Sequence, residues 1–160
     1  MLRKYGAQCR NDPKNNKLQI MIKNTHILYL LLIILPNVLF AASDSFKEGL
    51  NLFNKNKFEE AKFKFEQDIV FNPKSELSYL YLSKIFNKQD NKDLEEQNLN
   101  TVVLLNPKNE EAIYNLARLK LKNSDYKKSI ELNKKLKIIC KKLCKQSDKL
   151  KIEIENLSKK

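Results

Sequence analysis

The sequence predicts an all-α fold in which helical hairpins stack side by side. The first observation is a repeat, because Asn72-Pro73-Lys74 recurs as Asn106-Pro107-Lys108, 34 residues later (107 − 73). The second is that apolar residues within each unit recur at steps of three and four, the period of an amphipathic helix. The third is composition, because 2 Gly and 4 Pro in 160 residues leave few turn-forming residues for a β protein.

The first unit, residues 44–75, predicts two helices that pack closely. Phe46 and Phe53 follow the helical spacing in its first half, and Gly49 lies between them. The second half continues the apolar stripe with Phe58, Ala61, Phe65 and Ile69. Because Gly49 and Ala61 are small, we expect the two helix axes to approach closely at these positions.

The second unit, residues 76–108, and the third, residues 109–141, repeat this pattern with two departures. Glu95 stands in the second unit at the position that Ala61 takes in the first, so we expect its second helix to be displaced. The third unit has Lys141 where the other two units close on proline. Without that proline, the last helix is predicted to continue past the end of the unit.

A basic helix at residues 142–160 is predicted to cap the array. Apolar and small residues run into it at steps of four and three, at Leu136, Cys140, Leu143, Ser147, Leu150, Ile154 and Leu157. We favour one amphipathic helix that covers the exposed apolar end of the stack. The alternative is a short coiled-coil seam that joins two copies as a homodimer.

The 34-residue period and the spacing of aromatic and small residues resemble the tetratricopeptide repeat (TPR). The pattern Phe46-x-x-Gly49-x-x-Leu52-Phe53, then Phe58-x-x-Ala61-x-x-x-Phe65, matches the helix–turn–helix form of that family. The resemblance covers residues 44–141 and implies a right-handed α-solenoid of about three hairpins that acts as a protein-binding scaffold. A narrower resemblance is to the TPR units of bacterial envelope-assembly and cell-division-coordinating proteins.

In the TPR family the first helix of each hairpin lines a concave groove in which partner segments lie. The resemblance therefore assigns the groove to Lys47, Leu50, Phe53, Asn54, Tyr81, Lys84, Asn87, Lys88, Tyr114, Asn115, Arg118, Leu121 and Lys122. This set holds cations and amides but no carboxylate, so we expect an acidic peptide or a C-terminal carboxylate as the partner. It does not reproduce the full carboxylate clamp of chaperone-tail-binding TPR proteins. The alternative for each residue is a solvated surface position.

An export signal is predicted at residues 21–43. It begins with a short basic stretch, continues with the apolar run Ile27–Leu35 and ends in small residues. The run is short for a membrane crossing and Pro36 follows it, so we expect cleavage and a periplasmic or envelope location. Residues 1–20 lack periodicity and are interpreted as upstream translation, with Met21 as the true start. The alternative is an unstructured extension before an uncleaved inner-membrane anchor.

The residue types that common catalytic chemistry needs are missing from the repeat region. His26 is the one histidine and lies in the predicted export signal, while Gly49 is the only glycine after residue 43. Imidazole bases and glycine-rich phosphate loops are therefore excluded there. Neighbouring glutamates are interpreted as solvated helix faces, at Glu59-Glu60, Glu95-Glu96 and Glu110-Glu111. We expect neither an enzyme nor a bound metal or cofactor.

Positive charge is concentrated at the end of the chain. The formal net charge is +12, and residues 118–160 carry 15 basic and 5 acidic residues, a local net charge of +10 (15 − 5). We interpret most of these lysines as solvated. The alternative function is attachment to anionic lipid through Lys134–Lys151, with nucleic acid the poorer target after export.

Cys140 and Cys144 are separated by three residues in the predicted last helix. Their Cα atoms would lie roughly 6 Å apart, so an oxidising compartment would allow a disulfide that strains a regular helix. Two buried free thiols are the alternative. A redox CxxC motif needs two intervening residues, and a metal site needs more ligands than these two.

Overall fold

The computed structural model describes residues 44–159, and within that range the chain forms seven helices and no strand. The helices are α1 (44–54), α2 (Phe58–Phe71), α3 (Glu76–Lys88), α4 (Lys92–Leu105), α5 (Glu110–Lys122), α6 (Tyr126–Ile139) and α7 (Cys144–Leu157). From α2 onward each helix packs against the next, most extensively α3 on α4 and α5 on α6. The predicted α-solenoid of hairpins with a final helix is confirmed.

The predicted leader at residues 21–43 and the predicted upstream extension at 1–20 lie outside the described residues. Among the described helices, none combines the length and the apolar character that a membrane crossing requires.

The turn inside each hairpin uses the same backbone geometry three times. Asn56, Asp90 and Ser124 adopt left-handed φ angles of 60°, 53° and 61° and lie 34 residues apart (90 − 56 and 124 − 90). The N–H of the next residue donates to a carbonyl five residues back in each turn, for example Lys57 to Leu52 at 3.0 Å. This arrangement satisfies a carbonyl that the helix end would leave unpaired and reverses the chain tightly.

The turns between repeats are of two kinds. Asn72 and Asn106 each cap a helix, and the proline that follows lacks the N–H needed to continue it. In the third such turn Cys140 takes an extended conformation (φ −62°, ψ 140°) and α6 ends at Ile139. The prediction of one continuous last helix is therefore wrong, because residues 140–143 separate α6 from α7.

The structure joins Cys140 and Cys144 in a disulfide across this interruption. Their Sγ atoms are 2.07 Å apart and their Cα atoms 5.3 Å apart. The expected conflict between the bond and a regular helix does not arise, since the helix is interrupted between the two cysteines.

Helix α7 packs back on the array and covers its end. Leu150 and Ile154 are buried in the same cluster as residues of α5 and α6. The Asn133 side chain donates to the Ser147 carbonyl at 3.0 Å and accepts from the Ser147 hydroxyl at 2.9 Å, which holds α7 against α6. The apolar seam considered for a homodimer is thus occupied within the chain, as expected for a capping helix.

Two hydrophobic clusters stabilise the array. The aromatic cluster, in α1 to α3, consists of Ala61, Phe65, Leu82, Ile85 and Phe86 with Phe46, Leu52, Phe53, Phe58, Ile69 and Tyr81 packed around them. The aliphatic cluster, in α3 to α7, has as its buried members Leu80, Leu99, Val102, Ala112, Ile113, Leu116, Ala117, Leu119, Leu121, Leu132, Leu136, Leu150 and Ile154. The small Gly49 and Ala61 are both buried in the first hairpin, as their spacing predicts.

Candidate functional site

A cleft of about 400 Å³ lies between the first helices of successive hairpins. It unites several residues predicted for the groove, which are Phe53, Lys84, Asn87, Lys88, Asn115, Arg118 and Lys122. It adds four residues that the sequence did not suggest, which are Ser83, Glu95, Glu111 and Leu119. The spacing of the first helices of the hairpins therefore brings predicted groove residues of the second and third units together on one surface.

The remaining predicted groove residues lie elsewhere. Tyr81 packs inside the aromatic cluster, and Tyr114 lines a neighbouring shallow cavity. Leu121 is buried in the aliphatic cluster, which corrects its assignment to the groove, because burial removes its apolar side chain from water. The cleft lining also omits the predicted groove residues of α1 apart from Phe53, namely Lys47, Leu50 and Asn54.

Aromatic rings hold three of the cleft's cations in place. The Lys84 Nζ lies 4.5 Å from the centre of the Tyr81 ring. The Lys88 Nζ is 4.9 Å from the Phe58 ring centre. The Arg118 guanidinium is 5.7 Å from the ring centre of Tyr114. Attraction between a cation and the face of a ring favours these positions without neutralising the charge. The two predicted groove tyrosines thus support cations.

Glu95 forms the floor of the cleft and is only 5% exposed. The Asn87 Nδ2 donates to both of its carboxylate oxygens at 3.0 Å. The interpretation of Glu95 as a solvated residue is therefore wrong, and α4 still packs extensively on α3. A buried polar group needs a hydrogen-bond partner, and Asn87 supplies it across the hairpin turn. The sequence contained one sign of this role, because Glu95 stands at the repeat position where a small residue, Ala61 in the first unit, packs against the neighbouring helix.

Glu111 is the second carboxylate of the cleft and pairs with the Lys84 Nζ at 2.8 Å. The cleft thus contains two carboxylates, Glu95 and Glu111, that the predicted set of groove residues lacked. The cleft retains three cations, Lys88, Arg118 and Lys122, for which no carboxylate within residues 44–159 lies at ion-pair distance. The net charge of the lining stays positive, with four cations against two carboxylates.

Glu110, next to this cleft, binds the turn that precedes α7. Its carboxylate accepts from the backbone N–H groups of Lys141, Lys142 and Leu143 at 2.9, 3.0 and 2.8 Å. These hydrogen bonds, led by that of Leu143, hold the pKa of Glu110 below its ordinary value, and burial opposes them. The interpretation of Glu110 as a solvated helix face is therefore wrong.

The equivalent glutamate one repeat earlier has a similar role. Glu76 begins α3, as Glu110 begins α5. Its Oε1 accepts from the side-chain amides of Asn106, at 3.0 Å, and Asn109, both in the next inter-repeat turn. The first residue of a hairpin thus binds the turn one repeat ahead, which fixes the spacing of the helices that line the cleft.

No group of His, Cys, Asp and Glu side chains suited to a metal ion occurs within the part of the chain that the structure describes. The cleft instead presents amides, cations and two carboxylates at the surface of a helical array. Such a lining can hydrogen-bond a peptide backbone and attract negative charge.

Comparison with solved structures identifies domains of the same shape. The TPR2B domain of yeast Sti1, in a pHsp70 complex, has a TM-score of 0.68 at 15% sequence identity, over 74% of this chain and 98% of that chain. The first TPR of Spaghetti (RPAP3), bound to the HSP90 peptide SRMEEVD, has a TM-score of 0.67 at 13% identity, over 74% and 94%. The Yersinia enterocolitica type III secretion chaperone SycD, with a peptide of the translocator YopD, has 0.65 at 14%, over 74% and 94%. No protein-family model and no curated protein matches the sequence.

The described residues therefore form an α-solenoid of helical hairpins closed by a terminal helix. Its fold is that of the tetratricopeptide-repeat domains, which confirms the resemblance seen in the sequence. At this level of identity the comparison establishes the fold, and the choice of partner depends on the residues of the cleft.

Proposed function

We propose that this protein is a non-enzymatic interaction scaffold that binds an acidic peptide segment of a partner protein in the cleft. The observation that carries the proposal is the set of cations without a carboxylate partner among the described residues, Lys88, Arg118 and Lys122, beside the amide of Asn115. A carboxylate brought in by a partner would complete these ion pairs, while the amide is suited to the peptide backbone.

The comparisons support a peptide as the kind of partner. Among the proteins of this fold, RPAP3 is bound to an HSP90 peptide and SycD to a peptide of YopD. The charge distribution in the cleft indicates how an acidic segment would lie. Glu111 forms an ion pair with Lys84, so the cleft is nearly neutral at that end. We expect acidic side chains of the partner to lie toward Arg118 and Lys122.

The place of action belongs to the same proposal. The apolar run Ile27–Leu35 and the small residues after it motivate export, so the scaffold would act in the periplasm or cell envelope. N-terminal sequencing of the protein recovered from periplasm tests this directly. A start at residue 42, 43 or 44 supports it, and an intact Met1 or Met21 in the cytosolic fraction contradicts it.

Replacing Arg118 by Glu tests the cleft. Arg118 is exposed, so we expect Arg118→Glu to change the free energy of unfolding by less than about 0.5 kcal/mol. Hydrogen bonds to charged groups contribute about 1.5 to 3 kcal/mol, so binding of an acidic partner segment should weaken about 10- to 100-fold. Fluorescence anisotropy with a panel of acidic peptides, beside pull-down from periplasmic extract, measures the change.

The matched control is Lys127→Glu, which makes the same charge change on α6 at an exposed position outside the cleft. It should leave peptide affinity within about threefold of the unmodified protein. Equal losses in the two variants would show a general charge effect and reject the cleft as the binding site. Preference for basic over acidic peptides would reject the proposed partner chemistry.

A further inference from the structure

The three most exposed large apolar side chains of residues 44–159 occupy one repeat position. Val70 is 74% exposed, Leu104 81% and Ile138 85%. They lie 34 residues apart (104 − 70 and 138 − 104), each in the last turn of a second helix, α2, α4 and α6. Single exposed apolar residues are normal on protein surfaces, but recurrence at one position of all three hairpins calls for a common cause.

A lysine follows each of these residues four positions later. The lysines are Lys74, Lys108 and Lys142, all exposed and all in the turns between repeats. None has a carboxylate within ion-pair distance in the part of the chain that the structure describes. Each hairpin therefore presents one apolar side chain beside one lysine.

These residues share one edge of the array. Successive helices run in opposite directions, so the ends of α2, α4 and α6 lie at the edge that holds the inter-repeat turns. Lys108 and Lys142 line one cavity together with Glu110 and Glu111, so lysines of successive repeats face the same space. We call Val70, Lys74, Leu104, Lys108, Ile138 and Lys142 the lysine edge.

The lysine edge carries three lysines, and the two glutamates in or next to its turns form hydrogen bonds with amide groups instead of ion pairs with these lysines. Glu76 accepts hydrogen bonds from Asn106 and Asn109, and Glu110 accepts three from the backbone of residues 141–143. Positive charge increases toward the end of the array, where Lys134, Lys135 and Lys141 lie within one turn of Ile138 in sequence.

We propose that the lysine edge docks on the surface of an anionic membrane. The apolar side chains would enter the boundary between headgroups and acyl chains, and the lysines would meet the negative headgroups. A protein partner usually fills a contiguous, well-packed pocket, whereas these three side chains stand one repeat apart, and only Val70 has an exposed apolar residue next to it in sequence, Phe71 at 43%. A fluid lipid surface can receive isolated projections of this kind. The proposal does not rest on the peptide cleft, although Glu111 and Asn115 line both the cleft and the cavity that contains Lys108 and Lys142.

The first test measures partition of the full chain onto lipid vesicles. Vesicles of phosphatidylcholine alone are compared with vesicles that contain phosphatidylglycerol, for the unmodified protein and the triple variant Lys74→Gln/Lys108→Gln/Lys142→Gln. Each lysine near an anionic surface contributes about a fivefold factor, so the partition coefficient on anionic vesicles should fall on the order of 100-fold.

The matched control is Lys55→Gln/Lys92→Gln/Lys127→Gln. These three exposed lysines lie in or next to the turns inside the hairpins, at the opposite edge. The control removes the same charge and should change partition less than about threefold. Equal losses in the two triple variants overturn the proposal, as does equal partition of the unmodified protein on both vesicles. The apolar run Ile27–Leu35 is present in every variant, so its contribution cancels.

The second test measures insertion of the apolar side chains. The chain contains no Trp, so Leu104→Trp introduces a single fluorescent probe at the edge. Its emission should shift to shorter wavelength on anionic vesicles and be quenched by lipids brominated near the headgroup. Ile152→Trp, at a 59% exposed site on α7, serves as the control and should not shift. Binding without a shift in Leu104→Trp, or capture of a protein that the lysine variant loses while vesicle binding persists, rejects lipid as the occupant.

Discussion

The two clusters stabilise the array in different ways. The aromatic cluster contains few fully buried residues and packs its rings edge to face or stacked, for example Phe65 on Tyr81 at 5.2 Å and Phe53 on Tyr81 at 5.0 Å. The aliphatic cluster is larger and distributes its burial over side chains from α3 to α7. The first hairpin therefore depends on a few large contacts, and the later ones on many small contacts.

This difference teaches where single substitutions should matter most. A large aromatic side chain removed from a small cluster leaves a cavity that few neighbours can fill. A side chain of the aliphatic cluster is smaller, so its removal deletes fewer contacts. Stability should thus be most sensitive to substitution near the first hairpin, although the later hairpins bury more residues.

The largest effect is expected for Phe65→Ala. Phe65 is fully buried and contacts the rings of Phe46 and Tyr81. We expect the free energy of unfolding to fall by about 3 to 5 kcal/mol, measured by urea denaturation with circular dichroism. The control, Phe63→Ala on the exposed face of α2, should cost less than about 0.5 kcal/mol. Similar losses in the two variants would contradict the assigned packing.

An intermediate effect is expected for Gly49→Ala. A Cβ at this position would lie 2.8 Å from Cε1 of Phe65, which is too close for a buried ring to accept without moving. Alanine favours a helix over glycine by about 1 kcal/mol, but overpacking costs about 1 to 3 kcal/mol, so the substitution should destabilise.

The double variant Gly49→Ala/Phe65→Leu tests the cause of that loss. The smaller leucine frees the space beside the new methyl group, so the double variant should be more stable than the sum of the single losses predicts. Simple additivity would show that Gly49 and Phe65 do not interact.

The smallest effect is expected for Glu110→Gln, which acts on α7 alone. The amide is a weaker acceptor for the three N–H groups, so hydrogen exchange of residues 141–157 should accelerate while α2 to α4 keep their protection. Glu153→Gln, at an exposed position of α7, is the control and should leave exchange unchanged.

The pH dependence of the Glu110 contact follows from its lowered pKa. A carboxyl whose pKa is lower in the folded state stabilises that state above its ordinary value of 4.5, and this contribution is lost as the pH falls through the lowered value. The difference between the unmodified protein and Glu110→Gln should therefore be present at neutral pH and vanish in acid. A difference that persists at the lowest pH would show that ionisation is not its source.

Much of the fold could be predicted from the sequence, because short-range signals in each repeat mark the helix ends and the close helix contacts. The helix ends at Asn72 and Asn106 follow from proline, and the small residues at Gly49 and Ala61 mark the close helix contact. The break at residues 140–143 could not be predicted, because its apolar spacing also fits a continuous helix. Contacts distant in sequence decide it, among them the hydrogen bonds of Glu110.

The cleft was predicted only in part, because some of its residues are placed by contacts between helices that are distant in sequence. The resemblance to the TPR family assigned Lys84, Asn87 and Arg118 to a partner-binding groove, and in the structure these residues line the cleft. Glu95 and Glu111 were missed because a glutamate on a helix usually faces water. Their partners Asn87 and Lys84 lie on a neighbouring helix, and pairing of that kind has no signature in local spacing.

Each hairpin reverses direction at one left-handed residue of its own, which is Asn56, Asp90 or Ser124. The reversal is therefore set locally and does not depend on how much the hairpin contacts its neighbours. A chain reversal defined by one residue every 34 positions keeps successive hairpins in phase. Duplication of residues 76–109 inside the chain would therefore insert a hairpin without shifting those around it. The gene could lengthen its product by whole units, and each added unit would bring both another wall of the cleft and another apolar–lysine pair.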